Sequence, residues 1–460
     1  LGHALIRKDA AILPLRMPLQ GAQQDQPDRF AFVKKREQVR FDRRDALIIL
    51  VVTLLYAVVA LVNLGSTVAP QTEWVSVQEQ APVTLDLGEE RDFKLLLYGG
   101  IHWSDADFQV EVSPDGAVFT AYPFQFNYAN LYTWRYLSFP YQDENGKTQY
   151  NNQPRMLAGR YVRLSGFTAR LNLLEVIAQD SVTGENLPFV SASPGAEALI
   201  DEQHTLKGPP DWYNSMYFDE IYHARTALEQ RNALLGLEPS RIYETTHPPL
   251  GKLFMTFSIM AFGMTPFGWR FAGAMAGVMM LPGLYLLGRQ LTRKRLLGLF
   301  AMLMMAFDFM HFAQTRIATI DSFVTLFIIY AYFFMFRYMM QDALRTPLKK
   351  RLLLLFLSGL MMGLAIASKW PGIYAGLGLA VLFFWSLGTD TVRGWRLRQA
   401  ADGGLDALGE DAGVAKDYAG RFAREIVLTM LWCLLFFVAV PALTYYLSYI
   451  PVYIATPGGL

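Results

Sequence analysis

YFDEIYHARTALEQ (Tyr217–Gln230) and YETTHPPLGK (Tyr243–Lys252) gather an acidic pair, two histidines, a Pro-Pro and a Gly-Lys into one polar stretch. Beyond it the chain turns into almost unbroken hydrocarbon. This boundary sets the problem as charged chemistry at the edge of a membrane bundle. The composition agrees. A chain of 460 residues that is 53% hydrophobic is too apolar for an ordinary soluble protein, yet 18% charged residues require a sizeable polar part outside the bilayer. A net charge of +1 lacks the basic excess of a nucleic-acid binder. The single cysteine, Cys433, rules out a disulfide or thiolate metal centre within the chain.

Working outward, residues 1–45 are polar and end in FVKKREQVRFDRRD, a basic flank of the kind found on the cytoplasmic side of a membrane. Residues 46–66 form the first expected span: ALIILVVTLLYAVVALVNLG carries no charge and is long enough to cross the hydrocarbon. Residues 70–200 then change character to short runs rich in β-formers, separated by GEE, SPDG, DENGK and AGR turns, the spacing of an antiparallel β-sandwich or jelly roll. Residues 201–268 form a polar approach, helical around Ile221–Arg231, and 269–460 hold six further spans near 269–288, 296–313, 322–340, 352–369, 371–387 and 426–448. The loops with Arg289, Arg293, Lys294 and Arg295, and with Arg345, Lys349, Lys350 and Arg351, are basic, whereas QTRIATID and ASKWPG are nearly uncharged. The positive-inside rule and parity from the first span both place the sandwich, Asp219, His247 and Asp321 on the outer face. The Gly-, Ala- and Asp-rich stretch 388–424 reads as a flexible cytoplasmic loop, with a short amphipathic surface helix as the alternative.

The sandwich order VTLDLGEE, FQVEVSPDGAVF, AGRYVRLSGF, LNLLEVIAQD resembles the discoidin-like (galactose-binding-like) fold. That resemblance implies a glycan- or surface-binding module and makes Trp103, Tyr122, Tyr128 and Trp134 candidate stacking faces for a sugar ring. The same aromatics equally suit core packing.

Among the residues able to carry chemistry, Asp219 and Glu220 are helix neighbours about 100° apart, so both cannot address one atom. Asp219 and His223 lie four apart and share a face. One carboxylate can then act as a base while the other is held by a cation, with Arg225, Arg270 and Arg316 as partners to consider. A solvated helix surface is the plain alternative, but ionisable groups packed against a membrane bundle tend to be functional. In HPPLGK two prolines fix φ and remove donors, so His247 is presented in a set direction just before a helix. Lys252 closes that motif, and Arg316 and Asp321 sit in the short outer loop RIATIDS. The histidine and aspartate spacing fits no metal motif, and no glycine-rich phosphate loop occurs, so neither a metal nor a soluble nucleotide cofactor is expected.

YFDEIYHA, THPPLGK, WRFAGAMAG, TRIATIDSFVTLF and GLAIASKWPGIY, in that order, resemble the protein O-mannosyltransferase family, membrane glycosyltransferases of GT-C architecture. The fold class expected is therefore a multi-pass α-helical membrane protein with an extracytoplasmic antiparallel β-sandwich insertion. The resemblance implies transfer of mannose from a polyprenyl-phosphate carrier to Ser/Thr hydroxyls, with inversion. It aligns Asp219 and Glu220 with the family's acidic pair, Arg270 with its arginine in the next span, and Arg316 and Asp321 with its outer-loop residues. Two departures stand out: the sandwich precedes the acidic pair, and the chain stops before the family's later spans, so it reads as part of a longer protein.

The chemistry is self-consistent. A sugar on a lipid phosphate already has a leaving group, so one base, Asp219, suffices to take the acceptor proton. Glu220 would orient it or pair with Arg270, Arg270 and Arg316 would hold the phosphate, and His223, His247, Lys252 and Asp321 would shape the substrate pocket. The expected partners are a lipid-linked sugar donor, a protein or glycan acceptor and membrane lipids, with a dimer allowed and nucleic acid excluded. The expected location is the plasma membrane, with the site on its outer face. The competing functions are a lipid-linked-sugar transferase acting on cell-wall glycan or lipid, and a membrane-anchored glycan-binding protein.

Overall fold

The computed structural model describes residues 38–77, 80–127, 130–146, 148–237, 241–400 and 411–456. Most of the basic N-terminal flank, and Tyr128, lie outside the described residues.

The molecule is a helical membrane bundle carrying an antiparallel sheet domain at one end. Helix α1 is Arg43–Leu61. The sheet domain follows, then α2 (Glu220–Leu235), α3 (Leu250–Phe262) and α4 (Pro266–Thr292). The chain continues through α5 (Arg295–Ala306), α6 (Phe309–Thr315), α7 (Asp321–Met339), α8 (Leu348–Ser368) and α9 (Gly372–Ala400). It closes with α10 (Ala412–Leu434), a π-helical turn at Leu435–Ala439, α11 (Val440–Ser448) and α12 (Ile450–Ala455). Among the described residues six helical segments are long and apolar enough to cross a bilayer, and a seventh arises if α5 and α6 count as one bent span. Helix α3 is apolar but has only 13 residues, too few to cross.

Two expectations about these helices change. The span expected over 296–313 is broken between α5 and α6 by a 59° bend. Asp308 causes the break: its carboxylate accepts the backbone N–H of His311, capping a new helix in the middle of the apolar run. The stretch 388–424, expected as a loop, is helical on both sides, α9 running on to Ala400 and α10 starting at Ala412. Ion pairs made with distant parts of the chain hold these ends. Arg351 reaches Asp390 at 2.8 Å and Glu425 at 3.4 Å, and Arg393 reaches Asp342 at 2.9 Å.

In the sheet domain the principal path runs through strands Trp74–Val75, Asn172–Asp180, Val83–Gly99, Met156–Ser165, Ala106–Ser113 and Thr120–Phe126, every pairing antiparallel. The long strand Val83–Gly99 shifts register between Asp86 and Arg91, so one strand serves both halves of the domain. Leu85 before the shift and Phe93, Leu95 and Leu97 after it share one apolar interior with Phe108, Val162 and Leu164.

Side chains alternate across a strand, and here the opposite face is apolar too. Leu96, Tyr98, Trp134, Leu174 and Ile177 join Met216, Ala224, Leu228, Met255, Trp269, Ile320 and Phe323 in a second core. The run FKLLLYGG is continuous in hydrophobicity because it is buried on both sides, once within the sheet domain and once against α2, α3, α4 and α7. The sheet domain is thus packed onto the end of the bundle where the polar stretch Tyr217–Lys252 lies.

Candidate active site

Phe218 has a positive φ of 53°, a conformation that costs a non-glycine residue about 1–3 kcal/mol. It turns the backbone sharply between Tyr217 and Asp219, and α2 begins immediately afterwards. Asp219 is the N-cap of α2. An N-cap aspartate ordinarily accepts an N–H of the first helical turn with its side chain. Asp219 does not: its backbone carbonyl accepts from His223 N at 3.1 Å, while its half-buried carboxylate makes no hydrogen bond among the described residues. An acceptor at a helix start that is not used for capping remains available to a substrate hydroxyl.

Glu220, one residue on, is the opposite case. It is fully buried and accepts five donors from three parts of the chain. Arg270 on α4 gives two, Nε to Oε1 at 2.6 Å and Nη2 to Oε2 at 2.7 Å. Trp269 Nε1 donates at 3.1 Å, the backbone N–H of Ala318 at 3.1 Å and that of Tyr217 at 3.3 Å. The two acidic neighbours therefore do separate as helical geometry requires. Glu220, expected among the catalytic groups, has no surface with which to touch a substrate, and its role is to hold the start of α2 against α4 and the 316–320 turn.

The same geometry corrects Arg270. Besides Glu220, it donates to Leu64 O at 3.2 Å and Ser215 O at 3.0 Å, and it is completely buried. A guanidinium so enclosed presents no fork to a phosphate. Arg316 is the cation with remaining capacity. One of its terminal nitrogens donates to Val62 O at 2.8 Å and Asn63 O at 2.6 Å, just past the end of α1, and its guanidinium lies 4.6 Å from the centre of the Phe312 ring. Arg270 also lies 5.2 Å from the centre of the Tyr217 ring.

The HPPLGK segment is organised by a residue that sequence reasoning passed over, Glu244. Its carboxylate is ion-paired to Lys252, accepts the backbone N–H of His247 at 3.0 Å, and lies 3.2 Å from His247 Nδ1. Burial alone would raise its pKa, but the Lys252 ammonium and the His247 donors hold Glu244 down at about 2. Lys252 is itself 1% exposed and also donates to the carbonyls of Glu244 and His247. It knots the turn and does not line a pocket as expected. Gly251 is required there: a Cβ would stand 2.9 Å from Ile320. Of the two histidines, His247 is partly open, while His223 is buried with its ring centre 5.9 Å from that of His247, edge to face. Burial, aided by Lys252, pushes His223 down to about 4, so it is neutral at physiological pH. Asp321 starts α7, half-exposed, and pairs with Lys369 from the α8–α9 turn at 2.7 Å. Lys369 is a second residue the sequence reading missed, although SKWP stood within a quoted motif.

The aromatic residues proposed for glycans divide. Trp134 is 2% exposed, its ring 4.8 Å from that of Tyr98, and is a core residue. Tyr122 packs partly buried against the sheet interior beneath Arg155. Trp103 is partly exposed but lies at the junction with the bundle, with Arg225 and Arg241 at 4.5 and 4.6 Å from its ring. Tyr128 lies outside the described residues.

What the structure brings together at the sheet-bearing end of the bundle is a carboxylate unpartnered among the described residues, a buried pair that positions it, and two cations, Arg316 and Lys369. Comparison with known proteins points the same way. Residues 258–451 match the model of the family described as dolichyl-phosphate-mannose-protein mannosyltransferase. The chain is 30% identical over 187 residues to a polyprenol-phosphate-mannose–protein mannosyltransferase of Mycobacterium tuberculosis, covering 36% of this chain and 34% of that protein. A protein of the same name from Mycolicibacterium smegmatis is 30% identical over 199 residues, 38% of this chain and 36% of the relative. The aligned stretch thus spans about a third of the length of these relatives. Among solved structures, the Saccharomyces cerevisiae protein O-mannosyltransferase Pmt1–Pmt2 complex bound to the sugar donor is similar over 52% of this chain and 30% of that one, with 18% identity and a TM-score of 0.40. Residues 258–451, most of the membrane bundle, are thus similar to the dolichyl-phosphate-mannose-protein mannosyltransferase family.

Proposed function

We propose that the protein transfers mannose from a polyprenyl-phosphate carrier to serine or threonine hydroxyls of a protein acceptor, on the outer face of the plasma membrane, inverting the anomeric centre. The observation that carries this reading is the division of labour between Asp219 and Glu220. A fully buried, five-donor Glu220–Arg270 assembly fixes the start of α2, and the adjacent Asp219 carboxylate is left without a partner among the described residues.

In the reaction, the acceptor hydroxyl gives its proton to Asp219 as its oxygen forms the new bond to the anomeric carbon. The bond to the carrier phosphate breaks on the opposite face, and the leaving phosphate takes the electron pair. No general acid is needed for so stable a leaving group, and positive charge near it lowers the barrier. Arg316 supplies that charge, standing at the end of α1, where a phosphate anchored by a tail in the bilayer can reach it. Lys369, beside Asp321, is the next nearest cation named in the site. The sheet domain over 70–200 makes one rigid unit with the site, because its second apolar face is part of the same core as α2 and α4.

The test is incorporation of radiolabelled mannose from polyprenyl-phosphate-mannose into a Ser/Thr-containing peptide by the purified protein, with the product linkage read by NMR. An α-linked product from a β-linked donor is expected. Labelling from a different lipid-linked sugar only, or labelling of lipid or glycan with the peptide untouched, would overturn the reading.

A further inference from the structure

The sheet domain holds a second concentration of charge, remote in sequence from the acidic pair. Glu175, on the strand Asn172–Asp180, meets Asp201 and Glu202, which follow the 3-10 turn Glu197–Leu199. One carboxylate oxygen from each lies within 4.8 Å of the others. Among the described residues no Lys, Arg or His forms an ion pair with any of the three.

A separate observation makes this more than an acidic surface. Glu175 is fully buried, and its Oε1 has no hydrogen-bond partner among the described residues. Its Oε2 accepts the backbone N–H of Glu202 at 2.6 Å. A buried carboxylate oxygen with no donor to meet it, on a side chain grouped with two further carboxylates, needs either a proton or a cation.

We infer that Glu175, Asp201 and Glu202 form a calcium-binding site that fastens the sheet domain to its two connections with the membrane bundle. Ligands 2.3–2.6 Å from one Ca²⁺ lie up to roughly 5 Å apart, which matches the spacing of these oxygens. All three are hard oxygen donors, the preference of calcium, and the exposure of Asp201 leaves room for water to complete the 6–8 ligands that Ca²⁺ takes. Magnesium requires shorter contacts and a near-ideal octahedron and gives up its waters reluctantly, so it is a poorer match to a site made of three protein carboxylates.

The position gives the ion a purpose. Glu202 Oε2 accepts the backbone N–H groups of Gln71 and Thr72, at 2.5 and 2.8 Å, in the segment that enters the sheet domain from α1. Glu202 itself lies in the segment that leaves the domain for α2, and Glu175 is on a central strand. One ion would tie the incoming segment, the outgoing segment and the sheet, and so fix how the domain sits on the bundle. This is independent of the transfer chemistry.

The experiment is thermal unfolding of the full chain in detergent micelles with EDTA, with millimolar CaCl₂ and with millimolar MgCl₂, together with Tb³⁺ luminescence sensitised by the protein's aromatic residues. Calcium should raise Tm, magnesium should raise it much less, and Ca²⁺ should displace bound Tb³⁺. Asp201→Asn, at an exposed position that leaves the interior intact, should fold normally and need about tenfold or more calcium for the same shift, and Glu175→Gln should abolish the shift. The proposal is wrong if Tm is unchanged by calcium, if Mg²⁺ acts equally at the same concentration, or if Asp201→Asn keeps the full response.

Discussion

Removing the charge of Glu220 without changing its shape separates positioning from catalysis. Glu220→Gln keeps an oxygen for Ala318 N–H or Trp269 Nε1 but leaves the Arg270 guanidinium, completely buried, without its counter-ion. Breaking a buried pair by neutralising one partner typically destabilises by about 3–5 kcal/mol, because the other charge remains desolvated. The start of α2, the N-terminus of α4 and the 316–320 turn all meet on this carboxylate, so the loss loosens the position of Asp219 as well. Thermal unfolding of the purified protein in detergent should show a clear drop in Tm for Glu220→Gln and for Arg270→Met. The double variant Glu220→Gln/Arg270→Met should recover part of the loss, with a coupling of at least about 1.5 kcal/mol between the two positions. Additive single effects, or a Glu220→Gln protein as stable as the wild type, would refute the claim that this pair positions the site.

Three further outcomes follow from the geometry. Arg316→Ala removes the cation with remaining hydrogen-bonding capacity and should raise the KM for the lipid-phosphate donor by about 10–100-fold, with little change in the acceptor KM, as fits a charge-assisted bond of about 1.5–3 kcal/mol; steady-state kinetics with each substrate varied in turn decides it. His223 is held at about 4 when folded and returns to its ordinary value near 6.5 when unfolded, so its contribution is fully present above pH 6.5 and is lost as pH falls towards 4. That limb is worth on the order of 3 kcal/mol. It should flatten in His223→Gln when Tm is followed from pH 7 to pH 4, and an unchanged acid limb would contradict a buried neutral imidazole. Leu96→Ala, in the face of the sheet that joins α2 and α4, should destabilise by about 2–5 kcal/mol and lower the protease resistance of the bundle as well as the sheet, since the two share one core; separate unfolding of the sheet domain with an intact bundle would speak against that shared core.

How much of this was legible in the sequence depends on whether the signal was local. The apolar runs and the turn-separated β-rich segments mark a membrane bundle with a sheet domain, because hydrophobic length and strand alternation are written residue by residue. The run FKLLLYGG shows where that reading stops: it looks like one strand, but nothing local tells that Leu95 and Leu96 belong to different cores. The helical ends of α9 and α10, for the same reason, are only the lesser of two readings of 388–424. Their polar composition suggests a loop, and only the pairing of Asp390 with Arg351 and of Arg393 with Asp342 shows why they stay ordered. Asp308 was visible as a polar residue inside an apolar run, and it should have signalled the break it caps.

In the site, helical geometry foretold that Asp219 and Glu220 would take different roles, and the Glu220–Arg270 pair was one of the arrangements open to them. The sequence could not show that five donors converge on Glu220, which removes Arg270 from any contact with phosphate. Glu244 lay in plain view within YETTHPPLGK. Nothing local marks it, because the knot that holds His247 depends on one carboxylate accepting both Lys252, eight residues on, and the turn's own N–H.

The central claim is that Asp219 is the base. Asp219→Asn replaces a side chain that makes no hydrogen bond among the described residues, so stability should change by no more than about 0.5 kcal/mol. The measurement is single-turnover mannose transfer from polyprenyl-phosphate-mannose to a serine peptide, with donor binding and Tm determined on the same preparation. Loss of transfer by about 10²–10⁴-fold, with donor binding and Tm retained, is the predicted result. Transfer at the wild-type rate by a folded Asp219→Asn protein would contradict it.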